Sequence, residues 1–265
     1  MLNNVVTITG ATMNTAGRLL SIYDKLTERG GEPSKNVARL WAEVFELEQD
    51  TPHTEDDVVT CLQALRSEMD LLQSKFLSIG GVPELLQPGL SRFRETASPI
   101  RLNQQWLNLR DEFGRQENRV MLAWAGWALR DENEEDVASE DLANLQKELD
   151  ALGATLGETE MSPYLREFVQ RQMNSIRSAL RVYRVQGIKP IEQALHQVVG
   201  AFTLEKNRVE AEQGKATEPA KGVLRRLGVA LESTAKVADQ VDKIRKAGEG
   251  GVKLAAAVAP FLINF

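Results

Sequence analysis

The stretch Ser162–Phe202, SPYLREFVQRQMNSIRSALRVYRVQGIKPIEQALHQVVGAF, predicts two helices joined by a tight turn. Ser162 suits an N-cap and Pro163 the first helical position, where a missing N–H breaks no intrahelical bond. Leu165, Phe168, Val169, Ile176, Leu180 and Tyr183 then recur at three- and four-residue steps and form one apolar face. Gly187 suits a C-cap, and Pro190 opens a return helix carrying Ile191, Leu195, Val198, Val199 and Phe202. A second stripe runs beside the apolar face. Arg166, Arg177, Arg181 and Arg184 lie within about 60° of one another on a helical projection.

The same grammar extends towards the N-terminus. The spacing predicts helices over about residues 11–29, through Leu19, Leu20, Ile22, Tyr23 and Leu26, and from Pro33 through Leu47. Gly30 and Gly31 separate the two. Thr54 and Asp57 form a capping-box pattern ahead of a helix running to about Ile79. After Gly80-Gly81, Pro83, Pro88 and Gly89, Ser98-Pro99 repeats the cap-plus-proline opening and predicts one long helix to about Arg130. That helix holds Trp106, Phe113, Trp124 and Trp127, which at helical spacing read as core, and Gly126 marks a close helix crossing. The acidic run Asp131–Asp141 reads as a solvated loop and helix start. Ser139 caps a helix through Leu142, Leu145, Leu149 and Leu152 that closes at Gly153 and Gly157.

On the other side of the central pair, AEQGKATEPAKG over Ala211–Gly222 reads as a linker. From Pro219 to Phe265 there are eight basic and four acidic residues, so a segment at +4 follows a body at −10 in a chain of net −6. Ala220, Val223, Leu227, Ala230, Thr234, Val237, Val241 and Ile244 follow an alternating three-and-four spacing. The final VKLAAAVAPFLINF has one charge, Lys253, and is too short to span a bilayer of about 30 Å as one helix. The expected architecture is therefore all-α: a multi-helix, bundle-like body over 1–210, a linker over 211–222, and a basic amphipathic helical tail over 223–265.

Composition excludes several functions and leaves others. A chain of 265 residues with 42% hydrophobic and 26% charged residues can bury a sizeable core. Its negative balance argues against nucleic-acid binding by the general surface. Cys61 is the only cysteine, so no intrachain disulfide forms, and a reducing cytoplasm is expected. The start MLNNVVTITG lacks the basic region and apolar core of a signal peptide. His53, His196 and Cys61 do not make a metal cluster, and Glu192 with His196 has neither the spacing nor the second copy of a di-metal bundle motif. No nucleophile elbow, Walker loop or dinucleotide fingerprint occurs, so no catalytic residue and no cofactor is assigned.

Three functional expectations follow. The first is a non-catalytic protein working through a protein partner or self-association, with Val237, Val241, Ile244, Leu254, Phe261 and Phe265 of the tail as contact residues. The second is a membrane-acting effector of toxin or antiphage type, peripheral to the bilayer, whose basic and apolar tail is released onto anionic lipid. The third is an anion or phosphorylated-ligand site built on Arg166, Arg177, Arg181 and Arg184. Against that third reading, arginines beside an apolar face commonly lay their stems along the core and pair with neighbouring acidic residues.

Overall fold

A computed structural model of the chain describes residues 13–134 and 136–242, with side chains to residue 239. Among these residues there are ten α-helices and no strand, so the fold is all-α. They are α1 Thr15–Arg29, α2 Val37–Val44, α3 Thr54–Ser78, α4 Gln87–Thr96, α5 Leu107–Phe113, α6 Gln116–Ala128, α7 Ser139–Glu158, α8 Pro163–Gln186, α9 Lys189–Gln213 and α10 Glu218–Asp242. The described chain divides into two compact units. One holds 13–134 and 136 together with Arg184–Gly187, and the other holds Val137–Tyr183 and 188–242.

In the first unit α1 packs against α2, α3 and α6. Its start is set by Asn14, whose Oδ1 accepts from the Gly17 N–H at 3.0 Å. The amide of the same side chain donates to the carbonyls of Gly126 at 2.9 Å and Leu129 at 3.1 Å. One buried residue thus satisfies a free donor at the start of α1 and free acceptors at the end of α6. α1 and α6 cross closely here, and a Cβ at Gly126 would meet Ala16 at 3.9 Å, an ordinary contact, so the approach does not require glycine. Tyr23 of α1 enters an aromatic cluster with Phe113, 4.8 Å between ring centres, and Phe113 also meets Phe93 at 5.1 Å and Trp106 at 5.8 Å.

The single long helix expected from Ser98 to Arg130 does not form. It is a 3-10 turn at Pro99–Arg101, then α5, then α6. The reason is where the backbone hydrogen bonds go. Leu102 and Gln104 accept from the Ala38 and Val37 N–H groups at 3.1 and 3.0 Å, while the Trp106 N–H donates to Lys35 at 2.9 Å. Residues 102–106 are therefore taken up in closing the start of α2, and Gly114 ends α5 by donating to Arg110. Two further helix starts differ from expectation. The N-cap of α3 is His53, while the Thr54 hydroxyl accepts from the Thr51 N–H at 3.1 Å and lies 3.0 Å from the Glu48 carbonyl. Ser139 is the first residue of α7 and not its cap, and α7 runs through Gly153 and Gly157 to Glu158.

The first unit also buries a charge centre. Arg18 is 5% exposed and Glu68 2%. The guanidinium gives Glu68 two hydrogen bonds, at 3.0 and 2.6 Å, and Glu134 one at 3.0 Å. The turn behind α8 lies against it. Gly187 has φ +69°, and a Cβ at this position would fall 2.9 Å from Arg18 Nη1 and 3.1 Å from Glu134 Oε2. Glycine is thus required here both for the left-handed backbone and for space.

The second unit is built from α7, α8 as far as Tyr183, α9 and α10 around one apolar core. Ser162 caps α8 as the sequence predicts, with Oγ accepting from the Leu165 N–H at 3.3 Å. Leu149, Leu152 and Leu156 of α7 meet Leu165, Phe168, Met173 and Ile176 of α8, and Leu195, Val198 and Phe202 of α9 complete the layer. The alternating seam of α10 faces this core: Ala220, Val223, Leu227, Ala230, Thr234 and Val237 are all buried, and α10 packs on α7 and α9. Within the stretch Ala211–Gly222 only Gly214–Thr217 stand between α9 and α10.

Candidate interaction surface

The face of α6 turned to solvent is apolar. Its inner side is made by Asn118, Leu122 and Ala125, all buried, with Asn118 Nδ2 donating to the Glu112 and Phe113 carbonyls at 3.0 and 2.8 Å. The opposite side carries Val120, 56% exposed, Trp124, 44%, and Trp127, 62%. Large apolar residues scattered singly on a surface are ordinary, but a contiguous stripe on one helix is not. The sequence expectation that these tryptophans are core holds for Trp106, with Phe113 beside it, and fails for Trp124 and Trp127.

A groove of about 640 Å³ runs beside the stripe, lined by Leu85, Gln116, Glu117, Val120, Met121 and Trp124. Its walls are anchored from below. Trp124 meets Phe76 edge-on, 5.4 Å between ring centres, and Met121 lies over Gly89, where a Cβ would be 2.5 Å from the sulfur. Trp127 stands clear of the groove with the Arg130 guanidinium 4.7 Å above its ring, a cation–π contact. Elsewhere in the first unit, Arg119 of α6 is taken by Asp24 through two bonds of 2.8 and 3.0 Å, and Lys75 of α3 by Glu132 at 2.6 Å. Glu117 forms no salt bridge with a described residue. The chemistry on offer is burial of apolar surface beside a carboxylate.

The arginine stripe of α8 is occupied by its own protein. Arg166 donates to the Leu156 and Thr159 carbonyls, both at 2.6 Å, and so closes the end of α7. Arg177 donates to the Leu149 carbonyl at 3.0 Å and to Asp150 at 2.9 Å. Arg184 pairs with Glu46 at 2.5 Å within the first unit. Burial alone would raise the Glu46 pKa, but Lys25 and Arg184 outweigh it and hold the carboxyl below its usual range. Arg181 is also engaged by its surroundings. The stripe therefore distributes its donors among separate partners.

A second polar group joins α8 to α9. Tyr164 donates to Glu205 at 2.7 Å, Arg171 pairs with Glu205 at 2.6 Å, and the Arg208 guanidinium lies 4.0 Å over the Tyr164 ring. Burial, followed by the bond to Glu205, pushes the Tyr164 pKa from 10.0 up to about 12. A raised folded-state pKa stabilises the fold fully below the unfolded value of 10.0, and this contribution is lost as pH rises through about 12. Stability should therefore fall across that window in the parent, and more shallowly in Tyr164→Phe. Urea unfolding followed by circular dichroism at stepped pH checks this, and equal slopes for both proteins would refute it.

Of the tail residues singled out from sequence, Val237 is 3% exposed and sits in the core of the second unit. The Val241 side chain and Ile244, Leu254, Phe261 and Phe265 lie outside the described residues. Among the described residues no helix is long and apolar enough to cross a membrane, and no group of three or more His, Cys, Asp or Glu is placed to hold a metal ion. Cys61 is buried. Sequence reading missed the groove residues Leu85, Gln116, Glu117 and Met121. The available signal was that α6 is apolar on two opposite sides, of which one helix–helix contact can cover only one.

Fold and surface together define a class: an all-α chain of two compact units, the first of which carries an apolar helix face that no described residue covers. No family model, curated protein or solved structure matches the chain.

Proposed function

We propose that this protein acts without catalysis, through helix-mediated association with another protein chain, and that the outer face of α6 is a contact element. The observation that carries the reading is the stripe Val120, Trp124 and Trp127, each 44–62% exposed, on a helix whose other side is already buried in the first unit. Tryptophans anchor interfaces well because they bring large rigid area at little entropy cost. The stretch beyond the described residues, 243–265, is a second contact element by composition, with four basic residues, one acidic residue and an apolar end.

Site-specific photo-crosslinking of the full chain in its native cells tests the reading. A photoreactive phenylalanine at position 124 should give discrete protein adducts. The same group at Val229, which is 46% exposed on α10, serves as the control. Adducts at 124 no stronger than at 229 would sink the proposal.

A further inference from the structure

Glu46 stands where two local preferences oppose it. Helix α2 ends in a Schellman motif beyond its C-cap Phe45: the Glu46 N–H donates to the Glu43 carbonyl at 3.2 Å, and the Leu47 N–H to the Ala42 carbonyl at 2.9 Å. The motif puts the residue after the cap in the left-handed region, and Glu46 has φ +55°. Glycine suits that position, because a Cβ meets the following carbonyl there. A carboxylate at this point also faces the negative end of the helix dipole. The local backbone alone would select glycine, so the reason for glutamate lies in its side chain.

That side chain joins two cations, Lys25 of α1 at 3.1 Å and Arg184 at 2.5 Å. Arg184 begins a four-residue segment, Arg184–Gly187, which belongs to the first unit although Tyr183 and Ile188 on either side of it belong to the second. Within the first unit Val185 is fully buried and Gln186 Nε2 donates to the Ala64 carbonyl at 3.3 Å. Gly187 lies over Arg18 and Glu134. We infer that Glu46 is a latch. It holds the Arg184–Gly187 segment closed over the buried Arg18–Glu68 centre, and the segment opens locally, ahead of unfolding of the unit, when Arg184 is released.

The latch is weak by its placement. The Arg184 and Glu46 side chains are 51% and 36% exposed. An ion pair this open to water shifts an equilibrium by about fivefold at most, and salt screens it. Opening is therefore sensitive to ionic strength, while the pair beneath, Arg18 at 5% and Glu68 at 2%, is shielded as long as the segment is closed.

Thiol labelling of the full chain carrying Val185→Cys tests the inference. A thiol at position 185 reacts with iodoacetamide only when the segment opens, and Cys61, fully buried in α3, reports opening of the whole unit in the same sample. Peptide mass spectrometry separates the two. Position 185 should react at least about tenfold faster than Cys61, as local opening requires. Adding Glu46→Gly should raise the rate at 185 about threefold to fivefold and leave Cys61 within about twofold, because the backbone relief that glycine brings offsets the lost ion pairs only when the whole unit unfolds. Arg184→Ala should raise the rate at 185 by a similar factor. Salt at about 0.5 M should raise it in the chain with Glu46 and not in the one with Glu46→Gly. A rate at 185 that equals that of Cys61 in every chain, or one that Glu46→Gly fails to raise, overturns the latch and leaves Glu46 as a strained cap residue only.

Discussion

Arg18→Ala should destabilise the first unit by about 3–5 kcal/mol, a large part of what a domain has to lose. Glu68 is 2% exposed and receives two bonds from this guanidinium, and Glu134 receives a third. Removing the cation leaves a buried carboxylate whose desolvation is no longer offset. Two features make the region unable to relax around the loss. Glu68 sits in the apolar face of α3, between Leu65 and Met69, both fully buried. On the other side, Gly187 holds the turn behind α8 directly over the guanidinium.

The measurement is favourable because Trp41, Trp106, Trp124 and Trp127 all belong to the first unit, so tryptophan emission in urea reports it alone. The mutant midpoint should drop with an unchanged slope. Arg18→Met combined with Glu68→Leu should recover most of the loss, since a buried pair replaced whole by apolar groups is often neutral. A loss below about 1 kcal/mol for Arg18→Ala alone would show that the pair is not held as described.

How far this could be read in advance differs between the two units. In the second, the pattern was sufficient. Ser162 and Pro163 act as the local chemistry requires, and the three-and-four spacing of α8, α9 and α10 is the spacing that is buried. These helices are long, so one apolar stripe each is enough to identify them. In the first unit the decisive features are non-local. Nothing around Leu102–Trp106 announces that its backbone will bond to Lys35–Ala38, because that pairing depends on a segment more than sixty residues away. Arg18 and Glu68 each stand in an apolar face where periodicity predicts a hydrophobe, and only their meeting across α1 and α3 makes either burial tolerable.

The candidate surface was legible only by half. The sequence shows that α6 is rich in apolar residues, but a helix apolar on two sides looks the same whether both sides are buried or one awaits a partner. The arginine stripe was readable as geometry and ambiguous as chemistry. Arg166 reaches the carbonyls at the end of α7, which the glycines place at 153–157 and the structure at Glu158, while Arg177 reaches the Leu149 carbonyl beside Asp150. Gly157 has open space around it, and Gly153 makes room for the Arg177 guanidinium, 3.0 Å from where a Cβ would stand, so neither glycine marks a terminus.

The second large effect follows from Trp106, where the broken helix is put to use. Its indole is 2% exposed, lies 5.8 Å edge-on to Phe113, and fills the space above Gly30, where any Cβ would overlap its Nε1. Trp106→Ala should cost about 3–5 kcal/mol, the loss of a buried aromatic together with the cavity left behind. Gly30→Ala in the parent forces a methyl into a ring that cannot turn away, because its backbone is tied to Lys35 and Pro33 through the N–H groups of Trp106 and Leu107, both at 2.9 Å. The two substitutions should therefore not add. In the Trp106→Ala background the new methyl enters the vacated space, and only its clash with the Leu26 carbonyl, 2.8 Å from the built Cβ, remains. A double-mutant cycle in urea, again followed by the tryptophan emission of the first unit, should show the pair more stable than the sum of the singles by at least about 1 kcal/mol. Additivity would mean that Gly30 and Trp106 do not touch, and the packing of the indole over the end of α1 would fall with it.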